Sequence, residues 1–195
     1  MHMPYPALLI IDMQKCMASP AAGPRNNPQA EQNIVRLLAR WRELGAAVVH
    51  VRHISRSPAS LFAPGQSGAQ FQELFAPLPE GHVLEKNVPD AFINSGLERW
   101  LRVRGITRVT LVGVSTNNSV EASARTAGNL GFDTQVVSDA TFAFAKTDYA
   151  GTLRSADEVH AMALANLDGE YATVTDTDHV LASLGDLPQD ARRWI

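Results

Sequence analysis

The stretch VTLVGVSTNNSVEASARTAGNLGF, residues 109–132, decides the fold. Val109, Leu111 and Val112 read as a buried strand that breaks at Gly113. A polar turn, STNN, follows, and an Ala-rich helix begins at about Ser119 and stops at Gly131. Strand, tight turn and helix in that order hold one side chain at a helix N-terminus, above the carboxyl end of a strand. Unpaired backbone N–H groups and the positive end of the helix dipole point at whatever lies there. Ser119 is the side chain so placed.

The rest of the chain repeats this alternation. Residues 7–11, ALLII, form an apolar run of strand length ending in Asp12, Met13 and Gln14. Residues 17–28 are rich in Pro, Gly and Asn and read as loop. Ile34, Leu37, Leu38 and Trp41 give a helical period across residues 29–44, closed by Gly45. Residues 46–51 are the second strand. The long stretch from 53 to 81 is a loop of the length that serves as a lid or subunit contact. Residues 82–85 are a short third strand, followed by Lys86. Residues 95–104 form a helix capped by Asn94 or Ser95 and closed by Gly105. After Gly131, residues 134–138 are a strand with Asp139 at its end, and 140–154 read as a second loop on the site side. Ser155 caps a helix over 155–167, with Glu158 at the capping-box position. Residues 171–175 are the last strand, 178–184 a short helix, and the tail DLPQDARRWI surface or interface.

Six strands alternating with helices predict one domain over residues 1–195. Its fold class is α/β: a three-layer α/β/α arrangement around a doubly wound, Rossmann-like parallel sheet. The bulk properties fit. Of 195 residues, 45% are hydrophobic, and the net charge of −3 offers no basic footprint for nucleic acid. No apolar run is long enough to span a membrane, and no signal-type N-terminus is present, so the default location is cytoplasmic. A single cysteine, Cys16, excludes an internal disulfide.

Asp12, Lys86 and Ser119 each fall just after an apolar strand, and strand ends on one edge of a parallel sheet converge. A nucleophile at a helix N-terminus, a carboxylate to move a proton and a lysine to hold it charged would form an activated triad. Each residue alone also suits a plainer role: a turn carboxylate, a solvated lysine, an N-cap serine.

Ordered motifs sharpen this reading. ALLIIDMQ (7–14), VLEKNVPDAF (83–92), LVGVSTNNSVEASARTAGNLGF (111–132) and VVSDATFAF (136–144) occur in sequence. HVRHIS (50–55), the PGQSG loop (64–68) and VHAMALANLDGEYATV (159–174) add to them. Together they resemble the isochorismatase-like, or cysteine hydrolase, superfamily over nearly the whole chain. The resemblance implies a hydrolase of a small amide, imide or related carbonyl compound, needing no cofactor. It implies Asp12 as acid/base, Lys86 as its electrostatic partner and Ser119 at the nucleophile position. It also implies a cis peptide between Val114 and Ser115, and an oxyanion turn that includes Ser115 and Asn118, the Ser115 and Ser119 N–H groups serving as donors. A homodimer or higher homo-oligomer with a small-molecule substrate is expected, and the aromatic tail at Trp194 agrees.

This sequence departs from the pattern in three places. Ser119 stands where most relatives carry cysteine. A hydroxyl does not ionise as a thiol does beside a lysine, so it needs a base in the step itself, and a carboxylate is a weak one for an alcohol. Four readings stay open: a serine hydrolase; an acid-catalysed vinyl-ether reaction like that of the true isochorismatases; a non-catalytic binder; an engineered cysteine-to-serine change. Asp90 replaces a small residue of the lysine motif and is expected to reshape the pocket mouth or reach Lys86. Cys16, four residues beyond Asp12, reads as a small loop residue near the cleft. Around HVRHISRS there is no Asp-x-His pair of the nicotinamidase kind, so no metal is expected. Gln14, Arg52, His53, Phe92 and Phe142 are the candidate substrate contacts.

Overall fold

Apolar residues fill Ala7–Ile11 without interruption, and all five are buried. A strand of that kind needs cover on both faces and belongs inside a sheet. The computed structural model describes residues 5–185 and puts this strand third of six. In chain order the strands are β1 (Ala7–Ile11), β2 (Val48–His53), β3 (His82–Lys86), β4 (Arg108–Val114), β5 (Asp133–Phe142), β6 (Lys146–Thr147), β7 (Leu153–Arg154) and β8 (Thr173–Thr175). The α-helices are α1 (Ala30–Glu43), α2 (Leu97–Val103), α3 (Glu121–Asn129), α4 (Ala156–Leu167) and α5 (Thr177–Gly185).

The main sheet runs β3-β2-β1-β4-β5-β8, all parallel, as the alternation of strands and helices predicts. The order turns back between β1 and β4. Ligands of open α/β sheets bind at such a reversal, outside the carboxyl ends of the strands. Alternation along β1 splits the core. Ala7, Leu9 and Ile11 join the cluster that includes residues of α2, α3 and α4. Leu8 and Ile10 join the cluster that includes residues of α1 and α5. In α1, Ile34, Leu37, Leu38 and Trp41 are the buried stripe, and the Trp41 indole donates to the Pro6 carbonyl at 2.7 Å.

Several elements differ from the sequence reading. β5 continues past Ser138 to Phe142. A bulge carries it: Leu111 pairs with Val136, but Gly113 pairs with Thr141. Asn27 occupies the bulge, donating to the Ser138 and Thr141 carbonyls at 2.8 and 2.7 Å. Periodicity cannot register a strand that pauses and resumes. The following segment contains the β6–β7 hairpin rather than loop alone. α2 is preceded by Gly96 at φ 74°, while the Ser95 hydroxyl accepts from the Leu97 N–H at 3.2 Å. The second half of the long 53–81 loop is anchored, because Phe75 is buried in the core and Phe71 bridges to Gln14. Ser155 and Glu158 form the expected capping box on α4. Residues 1–4 and the tail at 186–195, with Trp194, lie outside the described residues.

His50 of β2 is buried, and burial pushes its imidazole down to about 4, with the Arg42 charge acting the same way. Its unfolded pKa is near 6.5, so between those values the unfolded chain binds more protons. The stability is complete above the unfolded value and is lost as pH falls toward 4. His53, His82 and His160 are shifted in the same direction. Urea titrations at pH 7 and pH 4.5 should therefore show a loss that is about 2–3 kcal/mol smaller in His50→Gln than in the parent.

Candidate active site

Glycine at position 113 lets the end of β4 lie against β1. Its φ is +115°, and a Cβ there would sit 2.1 Å from the Ile11 carbonyl oxygen. The next peptide, Val114–Ser115, is cis. A single wide turn, Thr116–Val120, then leads into α3 at Glu121, so the α-helix starts later than its sequence suggests. Ser119 lies inside that turn and is 6% exposed. Ser115 is its entry point: its carbonyl accepts from the Asn118 and Val120 N–H groups at 3.0 and 3.3 Å. Val114 is buried, whereas Asn118 is exposed.

Beside the turn, Asp12 directly follows β1, and its φ of 50° is a backbone state that non-glycine residues seldom adopt. Lys86 comes from β3, two strands away. Parallel neighbours lie about 4.8 Å apart, so a side chain crossing from β3 to β1 must bridge roughly 10 Å. The long lysine stem, the hydrogen bond at its end and the shorter Asp12 side chain together span that distance. The ammonium donates to Asp12 Oδ2 at 2.7 Å and to Ser119 Oγ at 3.3 Å. Asp12 and Lys86 are each 4% exposed. Burial pushes the Asp12 carboxyl above its ordinary range, against the opposing pull of the Lys86 charge and the Ser119 hydroxyl. Asp12 Oδ1 is buried without a hydrogen-bond partner among the described residues.

The structure thus brings Asp12, Lys86 and Ser119 together and separates most of the other candidates from them. Gln14 is a strut. Its amide donates to the His53 and Ala69 carbonyls at 2.9 and 2.8 Å and accepts from the His53 N–H at 2.8 Å. Arg52, which alternation turns to the other face of β2, pairs with Glu85 across the β2–β3 register. Phe92 packs against Phe132 in the core, and Phe142 is fully buried beneath Arg25. Neither phenylalanine lines the cleft that opens beside Lys86. Asp90 does not reach Lys86: it accepts from the Phe92 N–H at 2.8 Å and from the Thr126 hydroxyl, tying this segment to α3. His53 does border the pair. Burial together with the Lys86 charge lowers its pKa. The Cys16 thiol is pushed up to about 11, chiefly by burial, and suits packing better than nucleophilic attack.

Sequence reasoning missed Ser123. Its hydroxyl donates to the Ser119 carbonyl at 2.7 Å and accepts from the Ala91 N–H at 2.9 Å, joining the Ser119 turn to the lysine segment. Its place four residues after Ser119, on one helix face, was the available signal. A cleft of about 720 Å³ opens beside Lys86, lined among others by Ile54, Arg56, Pro64, Gln66 and Asn87; Asp12 and Ser119 are absent from its lining. No group of three or more His, Cys, Asp or Glu side chains gathers as a metal site among the described residues. Within them, no helix is long and apolar enough to cross a membrane.

Comparison with known proteins follows the same lines. The isochorismatase domain model matches residues 6–179. The Bacillus subtilis isochorismatase-family protein YrdC is 40% identical over 175 residues, covering 90% of this chain and 94% of that protein. Nicotinamidase 3 of Arabidopsis thaliana is 29% identical, covering 91% and 88%. Streptothricin hydrolase of Streptomyces noursei is 36% identical over 64% of this chain and 45% of its own. A crystal structure of an isochorismatase-family protein from Chromobacterium violaceum superposes with a TM-score of 0.91 at 48% identity, covering 95% and 98%.

Removing one partner of a buried ion pair leaves the other charge without compensation, at about 3–5 kcal/mol. Asp12→Asn should therefore lower unfolding stability by about that amount. The double variant Asp12→Asn/Lys86→Met should recover at least half of it. Equal urea midpoints for the single and double variants would show that the two groups are not coupled.

Proposed function

The chain belongs to the isochorismatase family of hydrolases, and on that premise we propose that it hydrolyses a small amide, imide or related carbonyl compound through Ser119. One observation carries the reading: a single buried ammonium, Lys86 Nζ, contacts both Asp12 Oδ2 and Ser119 Oγ. Two relatives lend support by name, one a nicotinamidase and one a streptothricin hydrolase.

In this reading Ser119 Oγ attacks the substrate carbonyl carbon as its proton passes to the Asp12 carboxylate. A carboxylate of ordinary pKa is a poor base for an alcohol. Burial brings Asp12 closer to working pH, where proton transfer in both directions is easier. The tetrahedral oxyanion lies toward the N–H groups of Ser115 and Ser119 at the entrance to α3. Collapse expels the amine, which takes the proton from Asp12 and leaves an ester on Ser119. Water then attacks the ester with Asp12 as base, and the returning proton restores the hydroxyl. Lys86 keeps the carboxylate placed and balances its charge throughout.

The raised Asp12 pKa favours a second reading. A carboxyl that keeps its proton can act as an acid toward a vinyl ether, with no covalent step at Ser119. A homo-oligomer belongs to both readings, supported by the exposure of Tyr149, Leu153 and Met162.

A panel of small amides, carbamates and isochorismate separates the readings. The serine pathway predicts turnover by the parent, loss to background in Ser119→Ala, and a fall of about a thousandfold in Asp12→Asn. Its kcat/KM should rise with pH through a value above 3.8, because Asp12 must be ionised to accept the proton. The acid pathway predicts that activity survives Ser119→Ala and falls as pH rises through that same value. Binding without turnover in the parent would overturn both.

A further inference from the structure

The turn that carries Ser119 is fixed to the body of the protein from two sides. On one side Ser123 bonds the Ser119 carbonyl. On the other, Thr116 Oγ1 lies 2.8 Å from Nδ1 of His160, on α4, and both residues are buried. The opposite edge of the imidazole faces Asn27, which is bonded into the β5 bulge. Asn27 Nδ2 stands 3.4 Å from His160 Nε2 and ties the same bulge together.

A hydroxyl can donate or accept, so the Thr116–His160 bond forms with either imidazole tautomer. Asn117 and Asn118 reach the surface, so Thr116 is the polar side chain by which this face of the turn is held inside. Burying an imidazole is costly unless its nitrogens find polar partners, and here Nδ1 has Thr116 and Nε2 has Asn27. An apolar side chain on α4 would pack at this place, but it would leave the buried Thr116 hydroxyl without this partner.

We infer that His160 is a positioning residue for Ser119: by hydrogen-bonding the Thr116 hydroxyl it locks the nucleophile turn to α4 and, through Asn27, to the β5 bulge, setting where Ser119 Oγ stands relative to Lys86. The inference rests on the hydrolase reading of Ser119.

A thiol placed at 119 reports this geometry without a known substrate. The background is Ser119→Cys with Cys16→Ala, which leaves one thiol in the chain. Its alkylation by iodoacetamide is followed against pH, with urea unfolding measured alongside. A thiol held by Lys86 and the helix N-terminus should ionise below the free value of about 8.5. Adding His160→Leu should raise that pKa and slow alkylation at pH 7 by about tenfold while cooperative unfolding is retained. His160→Asn, whose side-chain amide stands near the Nδ1 position and can present its oxygen or its N–H to Thr116, should keep the fast rate. Thr116→Val should behave as His160→Leu does, and it decides the matter if the leucine variant fails to fold.

A purely structural role would lower the urea midpoint and leave the thiol's pH profile where it was. The same low pKa in all variants, or an asparagine variant as slow as the leucine one, overturns the inference and leaves the hydrolase reading standing. An ordinary thiol pKa in the background itself overturns both.

Discussion

A lysine ammonium and a carboxylate, both withdrawn from water, impose the constraint on which this site depends. Neither charge is tolerable there alone, so the pair must be brought together wherever the fold is formed. The sheet does this by register. Asp12 follows β1 and Lys86 ends β3, with β2 between them. Attraction within such a pair roughly offsets its desolvation, so the pair is a poor source of stability. Its value is positional, because it fixes an ammonium within reach of Ser119.

The surrounding polar side chains serve the backbone. Gln14 joins the end of β1 to the end of β2, Ser123 joins α3 to the segment after β3, and Asp90 reinforces the same junction. The geometry of the triad is thus referred to hydrogen-bonded main chain rather than to loop side chains. Loops beyond the strand ends can vary without displacing the three groups. Such scaffolds host many substrates on one arrangement, and kinship of fold leaves the particular substrate open.

Much of this was legible in the sequence for physical reasons. An uninterrupted ALLII run admits few environments, and polar residues directly after such runs mark the strand ends. The β5 bulge was not legible, because it depends on Asn27, more than a hundred positions away in sequence, supplying donors to two carbonyls. The fate of the substrate-contact candidates was hidden for a similar reason. Gln14 has the chemistry of a ligand-binding amide, and only the approach of His53 and Ala69 uses it up. Phe92 and Phe142 are apolar in either role; the packing of α3 and the approach of Arg25 decide for the core. Thr116 and His160 lay within motifs already quoted, but their pairing needed the third dimension.

Among the described residues β3 is the outermost strand on its side of the sheet, with β2 as its one neighbouring strand. Edge elements open locally at a smaller free-energy cost than central ones, well before the molecule unfolds as a whole. The ammonium at the heart of the site therefore hangs from one of the more easily frayed margins of the scaffold, while its carboxylate and hydroxyl partners hang from the middle. Fraying of that margin would withdraw the cation and leave the remaining core assembled, a graded loss of electrostatic order distinct from denaturation.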